Sequence, residues 1–160
     1  MLLKRNRCTL NVVTYAVKKF SHSKTMQRRL IYICGALFIL ILIYLLRSVK
    51  EYWLSKDPRV VEMKNRLVSV FPELNKTKLM KGTYSYTINK QKVFLCTEKN
   101  GVHYDDNMLT YVILHELAHV LCDEIGHTNK FMRIFAGLLN RAEYYGLYDP
   151  TIERVKNYCK

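Results

Sequence analysis

His115, Glu116 and His119 are the residues whose types and spacing suggest chemistry most directly, within the segment HELAH. On a helix, residues four apart lie one turn apart on the same face, so the two imidazoles can bind one metal ion together. Glu116 is rotated by about 100° from His115, which brings its carboxylate beside such an ion without making it a ligand. The pattern predicts two zinc ligands and a general base for a zinc-activated water.

A third zinc ligand has to come from elsewhere, because a catalytic zinc usually has three protein ligands and one open position for water. His127 is the leading prediction, since Gly126 allows the chain to turn back toward the motif. Glu143 and Asp123 are alternatives, and Cys122 offers a thiolate. If Cys122 or Asp123 joined three histidines, four protein ligands would make the site structural rather than catalytic.

Three other side chains are candidates for donating a hydrogen bond to a negatively charged oxygen formed during a reaction at this site. They are His103, Tyr144 and Tyr145. A loop histidine and exposed tyrosines are also ordinary surface residues, so this role depends on where the fold brings them.

The motif needs a helix to position it, and helix signals surround it. Asp105 or Asp106 can accept bonds from the free amides of a first turn, and the helix is predicted to run through Leu121. A last helix is predicted between Gly126 and Gly146, and residues 151–160 are a candidate for one more short helix. Its apolar residues at helical spacing are Phe131, Ile134, Phe135, Leu138, Leu139 and Ala142.

A small sheet is predicted before the motif. Two β-rich runs, Thr83–Ile88 and Lys92–Thr97, lie on either side of the turn at residues 89–91 and predict an antiparallel pair. A peptide bound in extended form would pair with an edge of this sheet, and Lys92–Thr97 is the strand predicted to receive it.

The N-terminal part of the chain predicts a membrane anchor. Residues 1–29 hold eight of the 26 Lys and Arg residues and no acidic residue, whereas Leu30–Leu46 is seventeen residues without a charge. As a helix this segment spans about 25 Å, close to the roughly 30 Å hydrocarbon core of a bilayer. The predicted organisation is a basic arm over 1–29, a single span over 30–46, a juxtamembrane linker over 47–56 and a domain over 57–160. In that domain, Asp57 caps a first helix that ends before Pro72.

The charges next to the span predict partners and orientation. The basic arm is expected to contact anionic membrane lipid, with nucleic acid as an alternative partner. Five Lys or Arg residues lie in the fifteen positions before Leu30, and four lie in the fifteen after Leu46. This small difference leans toward a cytosolic N-terminus of an uncleaved, single-pass anchor.

The cysteines do not predict a disulfide framework. Cys8 and Cys34 lie in the arm and the span, which leaves Cys96, Cys122 and Cys159 as an odd set in the domain. Residues 75–77, Asn-Lys-Thr, match the N-glycosylation pattern, which matters if the domain is lumenal or extracellular.

The segments VILHELAHVL and GHTNKF, which contain His115, His119 and His127, resemble the WLM and SprT-like zinc peptidase families. They are more similar still to small predicted metallopeptidases encoded by large DNA viruses. In those families a histidine with Phe four positions after it supplies the third ligand, and His127 with Phe131 matches that spacing. The gap between His119 and His127 is two residues longer than in the usual WLM pattern, and the resemblance covers roughly residues 92–150.

The resemblance implies an α+β fold with a minimal zincin-like domain, in which a small antiparallel sheet and C-terminal helices surround the active-site helix. The expected function is that of a membrane-anchored zinc metallopeptidase with Glu116 as general base and a protein or peptide as substrate. The alternative is a catalytically inactive, membrane-anchored zinc protein with a structural or interaction role.

Overall fold

The computed structural model describes the backbone of residues 5–159 and the side chains of residues 26–159. The chain divides into two compact units, one ending at Ser48 and the other beginning at Val49. Helix α1, Arg5–Ser55, contains the whole predicted span. Its portion Met26–Ser55 is long and apolar enough to cross a membrane, with a mean hydropathy of 2.5 over its most apolar stretch. Its apolar side chains are exposed within the chain, which is compatible with contact to lipid.

Helix α1 continues through residues 47–55, most of the segment that was predicted as a juxtamembrane linker. Glu51 bonds Lys78 and Lys92 at 3.1 and 2.7 Å, so the last turns of α1 belong to the second unit. The predicted basic arm lies mostly outside the residues whose side chains are described, and its contacts with lipid or nucleic acid stay predictions.

Helix α2, Pro58–Val68, begins as predicted, because the Asp57 carboxylate accepts hydrogen bonds from the amides of Arg59 and Val60 at 3.1 and 3.2 Å. It stops short of Pro72, and a short 3₁₀ helix follows over Pro72–Lys76. The face of α2 toward the core carries Val60, Met63 and Leu67.

The main sheet has three strands: β1, Lys78–Lys81; β2, Tyr86–Ile88; and β3, Lys92–Leu95. Strands β2 and β3 pair antiparallel as predicted, but β1 was not predicted and pairs parallel to β3. The sheet is therefore mixed, in the order β1-β3-β2. Because β3 is the central strand, the prediction that Lys92–Thr97 offers an edge to a peptide is wrong.

A two-stranded hairpin follows the sheet. Strands β4, Glu98–Lys99, and β5, Val102–His103, pair antiparallel around a turn at residues 100–101. Both turn residues have positive φ, 53° at Asn100 and 78° at Gly101, a conformation that Asn and Gly tolerate best.

Helices α3, Asp106–Leu121, and α4, Asn129–Tyr144, complete the domain at the predicted places. Helix α3 packs against α4, α2 and the sheet, and its side chains fill the centre of the core. The fully buried apolar residues that it contributes are Leu109, Ile113, Leu114, Leu117 and Ala118. The architecture is thus α+β, with an N-terminal apolar helix, a small sheet and C-terminal helices.

The C-terminal tail contains no helix over residues 151–159, so the candidate short helix there is wrong. Instead, Cys159 forms a disulfide with Cys96, at the end of the sheet. Cys34 and Cys122 are free cysteines of the described residues. Although no disulfide framework was predicted, this single bond ties the tail to the domain.

Candidate metal centre and cleft

Helix α3 presents His115 and His119 on one face, with ring centroids 5.0 Å apart. His127 comes from the loop after the helix, and its Nε2 lies 3.0 Å from Nε2 of His115. One ring nitrogen from each of the three residues lies within 4.8 Å of the others. The structure therefore brings together the three histidines predicted as ligands, in a group that could hold a metal ion.

The loop reaches the helix through local features of the chain. The amide of Cys122 bonds the carbonyl of Ala118 at 2.8 Å and closes α3, and Gly126 turns the chain at a φ of 86°. The Thr128 hydroxyl then accepts from the amide of Phe131 at 3.3 Å and begins α4. His127 is thereby fixed between two helix ends.

Phe131 packs against the rings of all three histidines. Its ring is fully buried, and its centroid lies 5.1, 4.3 and 4.8 Å from those of His115, His119 and His127. The aromatic contact limits how far each imidazole can rotate. Phe131 was noted in the sequence for its spacing from His127, and this contact gives that spacing a physical role.

The other ligand candidates do not join the histidines. Asp123 is exposed and paired with Lys130 at 2.6 Å, which lowers the pKa of its carboxyl. Glu143 lies in a separate hollow beside Asp149. Cys122 is fully buried and is absent from the metal-competent group. Among the described residues, no fourth protein ligand accompanies the three histidines.

The three candidate oxyanion donors also lie away from the cluster. His103 is paired with Glu98 at 3.5 Å in a hollow beside α2. Tyr144 and Tyr145 are 84% and 59% exposed at the end of α4 and pack against each other. None of the three lines the cleft at the histidines, so their predicted role is wrong.

Burial favours the neutral form of His115 and His119. Burial, followed by the nearness of His119 and His127, lowers the pKa of His115 to about 4. Burial, together with His127, also lowers the pKa of His119. At neutral pH both imidazoles therefore keep a free lone pair, which is the form that binds a metal ion.

Glu116 lies beside the cluster and is only 5% exposed. Burial raises the pKa of its carboxyl, while a hydrogen bond from Thr87 acts in the opposite direction. That bond joins Thr87 Oγ1 to Glu116 Oε2 at 2.7 Å. Thr87, on β2, was not identified from the sequence, because nothing in its local pattern marks it as a partner of Glu116.

An open cleft of about 550 Å³ leads to these residues. One wall is β2 with the turn that follows it, the floor is α3, and the other wall is the loop over residues 124–127. Strand β2 is an edge of the sheet, so its outer side is unpaired among the described residues. The cleft therefore lies beside an edge strand of the sheet.

The chain is similar to proteins of large DNA viruses. An uncharacterized protein of Invertebrate iridescent virus 6 is 56% identical over 86 residues, which are 51% of this chain and 48% of that protein. An uncharacterized protein of Invertebrate iridescent virus 3 is 48% identical over 87 residues, 53% of this chain and 55% of that protein. One of Acanthamoeba polyphaga mimivirus is 47% identical over 58 residues, 34% of this chain and 29% of that protein.

The chain thus spans about half the length, or less, of the curated relatives that it matches. No family model matches the chain. No solved structure matches it either.

Proposed function

We propose that the chain is a membrane-anchored, zinc-dependent peptidase with a zincin-like domain. The observation that carries the proposal is the convergence of His115, His119 and His127 within 4.8 Å beside the buried carboxylate of Glu116. Two neutral ligands one helical turn apart, a third from a loop and an adjacent carboxylate are the parts that zinc-dependent hydrolysis of a peptide bond requires.

The donor set fits zinc. Three imidazole nitrogens are typical ligands of a catalytic zinc, and the burial of His115 and His119 keeps them neutral. The described residues provide no fourth protein donor, so a zinc ion held by the three histidines would keep a position for water. An open position favours a catalytic site over a structural one.

Zinc held there would acidify a water molecule and polarise the carbonyl of the peptide bond. Glu116 is the base that takes the proton from this water, because its carboxylate lies next to the histidines and has lost most of its solvent. The same carboxyl group then delivers the proton to the nitrogen of the leaving amine. The raised pKa of Glu116 suits both steps, since a weak base in water becomes a better proton acceptor when buried.

The substrate is a peptide bound in extended form along β2. This replaces β3, the strand expected from the sequence, because β3 is paired on both sides and β2 is the edge that borders the cleft. Main-chain hydrogen bonds of an added strand would carry the affinity. Such binding brings a peptide carbonyl over α3, between the histidines and Glu116.

The test is zinc content and hydrolysis of fluorescein-labelled casein by the full chain in detergent. Wild type should bind one zinc per chain and cleave casein. Glu116→Gln should keep the zinc and lose nearly all cleavage. His127→Ala should lower zinc affinity by more than the roughly 10- to 100-fold cost of losing an outer-sphere partner.

Asp123→Asn is the matched control for His127→Ala, because Asp123 lies on the same loop and points to Lys130 rather than to the histidines. It should keep both zinc and cleavage. Wild type without zinc would contradict the proposal. Zinc with casein cleavage no faster than in Glu116→Gln would leave the inactive zinc-binding protein as the better description.

A further inference from the structure

Thr87 lies outside the histidine cluster and contacts the carboxylate of Glu116, the predicted general base. Its Oγ1 lies 2.7 Å from Glu116 Oε2 and 3.2 Å from the main-chain carbonyl oxygen of the same residue. Among the described residues, Thr87 is the one that donates a hydrogen bond to the Glu116 carboxylate. A lone donor to a buried carboxylate decides how that group is oriented.

The position of this hydroxyl is set by the sheet. Thr87 is paired with Val93 of β3, which is 1% exposed, so strand β2 is tied to the core at this residue. Threonine has two heavy atoms on its β-carbon, which restrict χ1, so the hydroxyl cannot move far without the strand. The oxygen is therefore a fixed point on the wall of the cleft.

The hydroxyl has two acceptors of Glu116 within reach, the carboxylate Oε2 at 2.7 Å and the main-chain carbonyl oxygen at 3.2 Å. A hydroxyl has one proton to donate, so the two acceptors compete for it, and the shorter distance favours the carboxylate.

We propose that Thr87 is a positioning residue, which holds the Glu116 carboxylate toward the histidine cluster through the hydrogen bond from its hydroxyl. The inference rests on the proposed function, because it assigns Thr87 a role in the reaction of that site. The Thr87 side chain contacts neither zinc nor substrate in this role and acts only through Glu116.

The alternative is that the bond merely ties β2 to α3. A purely structural bond would lower stability and leave the rate per folded molecule unchanged. A positioning bond would lower the turnover number while leaving zinc binding and substrate affinity nearly unchanged, because the histidines and the edge of β2 are intact.

The experiment compares wild type, Thr87→Val, Thr87→Ser and Glu116→Gln as full chains in detergent. Valine has nearly the same shape as threonine and favours strands, so it removes the hydroxyl with little effect on the fold. Serine keeps the hydroxyl. Zinc per chain, thermal unfolding, and kcat and KM for fluorescein-labelled casein are measured for each, and Thr87→Ala replaces Thr87→Val if the latter does not fold.

We expect Thr87→Val to keep its zinc and its KM within about twofold and to lose about 10- to 100-fold in kcat, the usual cost of removing an outer-sphere partner. Thr87→Ser should recover most of that loss. A kcat of Thr87→Val equal to that of wild type would overturn the role of Thr87 and leave the peptidase in place. Wild type no faster than Glu116→Gln would overturn both.

Discussion

At the scale of single residues, the site contains two histidines, His115 and His119, whose positive charge is suppressed by burial. Burial penalises the charge of His115 most, and the nearby imidazoles of His119 and His127 add to the penalty. The pKa of His115 is accordingly lowered to about 4. Because protons and metal ions compete for the same nitrogen atoms, suppressing protonation favours metal binding at neutral pH.

The lowered pKa of His115 predicts a loss of stability in acid for the metal-free protein. The pKa of His115 in the folded chain, about 4, lies below the ordinary histidine value of 6.5, so between these values the unfolded chain binds more protons. The contribution of neutral His115 to the stability of the fold is fully present above about pH 6.5 and is lost as the pH falls toward 4. Thermal unfolding with a chelator should therefore show a melting temperature several degrees lower at about pH 5 than at about pH 7.

A matched variant separates this effect from ordinary acid denaturation. His115→Gln removes the titrating ring and should flatten the dependence of the melting temperature on pH. An equally steep dependence in wild type and variant would show that other groups cause the loss.

The residues of the site differ in how visible they are in a sequence. His115, Glu116 and His119 follow from one helix, because spacing along a helix determines which side chains share a face. His127 is close in sequence, and Gly126 permits the turn that returns it. Thr87 lies 29 positions from Glu116, and their contact depends on which strand becomes the edge of the sheet. Local patterns carry no information on that choice.

At the scale of elements, the position of α3 depends on its first turn. Asp106 forms salt bridges with Arg59 and Arg66 of α2, so α2 and α3 are joined where α3 begins. Asp105 caps the helix by accepting from the amide of Met108 at 2.7 Å. The start of α3 is thereby anchored about two and a half turns before His115.

The cap at Asp105 predicts a measurable contribution to stability. Asp105→Ala should lower the free energy of unfolding by about 1 kcal/mol, because an amide of the first turn loses its acceptor. Asp105→Asn should cost far less, since Asn caps nearly as well. Urea unfolding followed by circular dichroism measures both, and equal losses in the two variants would argue against a capping role.

The elements also show where sequence patterns stop being informative. Helices α2, α3 and α4 were predicted because their caps and apolar spacing are local. Strand β1 was not, since Leu79 and Met80 are consecutive and both buried, so the strand lacks the alternation of a one-sided sheet. Its parallel pairing with β3 depends on contacts distant in sequence, and this pairing makes β2 the edge beside the site.

At the scale of the whole molecule, the Cys96–Cys159 disulfide ties the tail to the sheet over a separation of 63 residues. Closing a loop of that length restricts the unfolded chain and is worth about 4 kcal/mol in the chain-entropy model. Tyr158, next to Cys159, packs on Tyr104 with ring centroids 4.6 Å apart. The Tyr158 hydroxyl also hydrogen-bonds to Ser85 and to the main-chain carbonyl of Cys96, and these contacts would remain if the disulfide were reduced.

The disulfide predicts that a reductant destabilises the protein. Alkylation under denaturing conditions should label two more cysteines after reduction than before, and Cys159→Ser should abolish that difference. Reduction should lower the free energy of unfolding by up to about 4 kcal/mol. Cys34→Ser is the control, since Cys34 is free and should leave both results unchanged. Equal labelling with and without reductant would contradict the bond.

Orientation in the membrane is the last property that the chain lets us predict. Disulfides persist in oxidising compartments, and positively charged segments stay on the cytosolic side of a span. For the proposed membrane anchor, the Cys96–Cys159 bond and the eight Lys and Arg residues of residues 1–29 both predict a translocated domain and a cytosolic N-terminus. Asn75 is exposed and lies in a glycosylation pattern, so a glycan on Asn75 would show that the domain is translocated.

Translation into microsomes should thus give a glycan that an endoglycosidase removes and that Asn75→Gln abolishes. The arm provides the opposite reporter, because Cys8→Ser turns residues 6–8, Asn-Arg-Cys, into a glycosylation pattern. In the predicted orientation this variant gains no second glycan, since the arm stays in the cytosol. A glycan on Asn6 but none on Asn75 would mean that the domain faces the cytosol, where a reducing environment would oppose the disulfide.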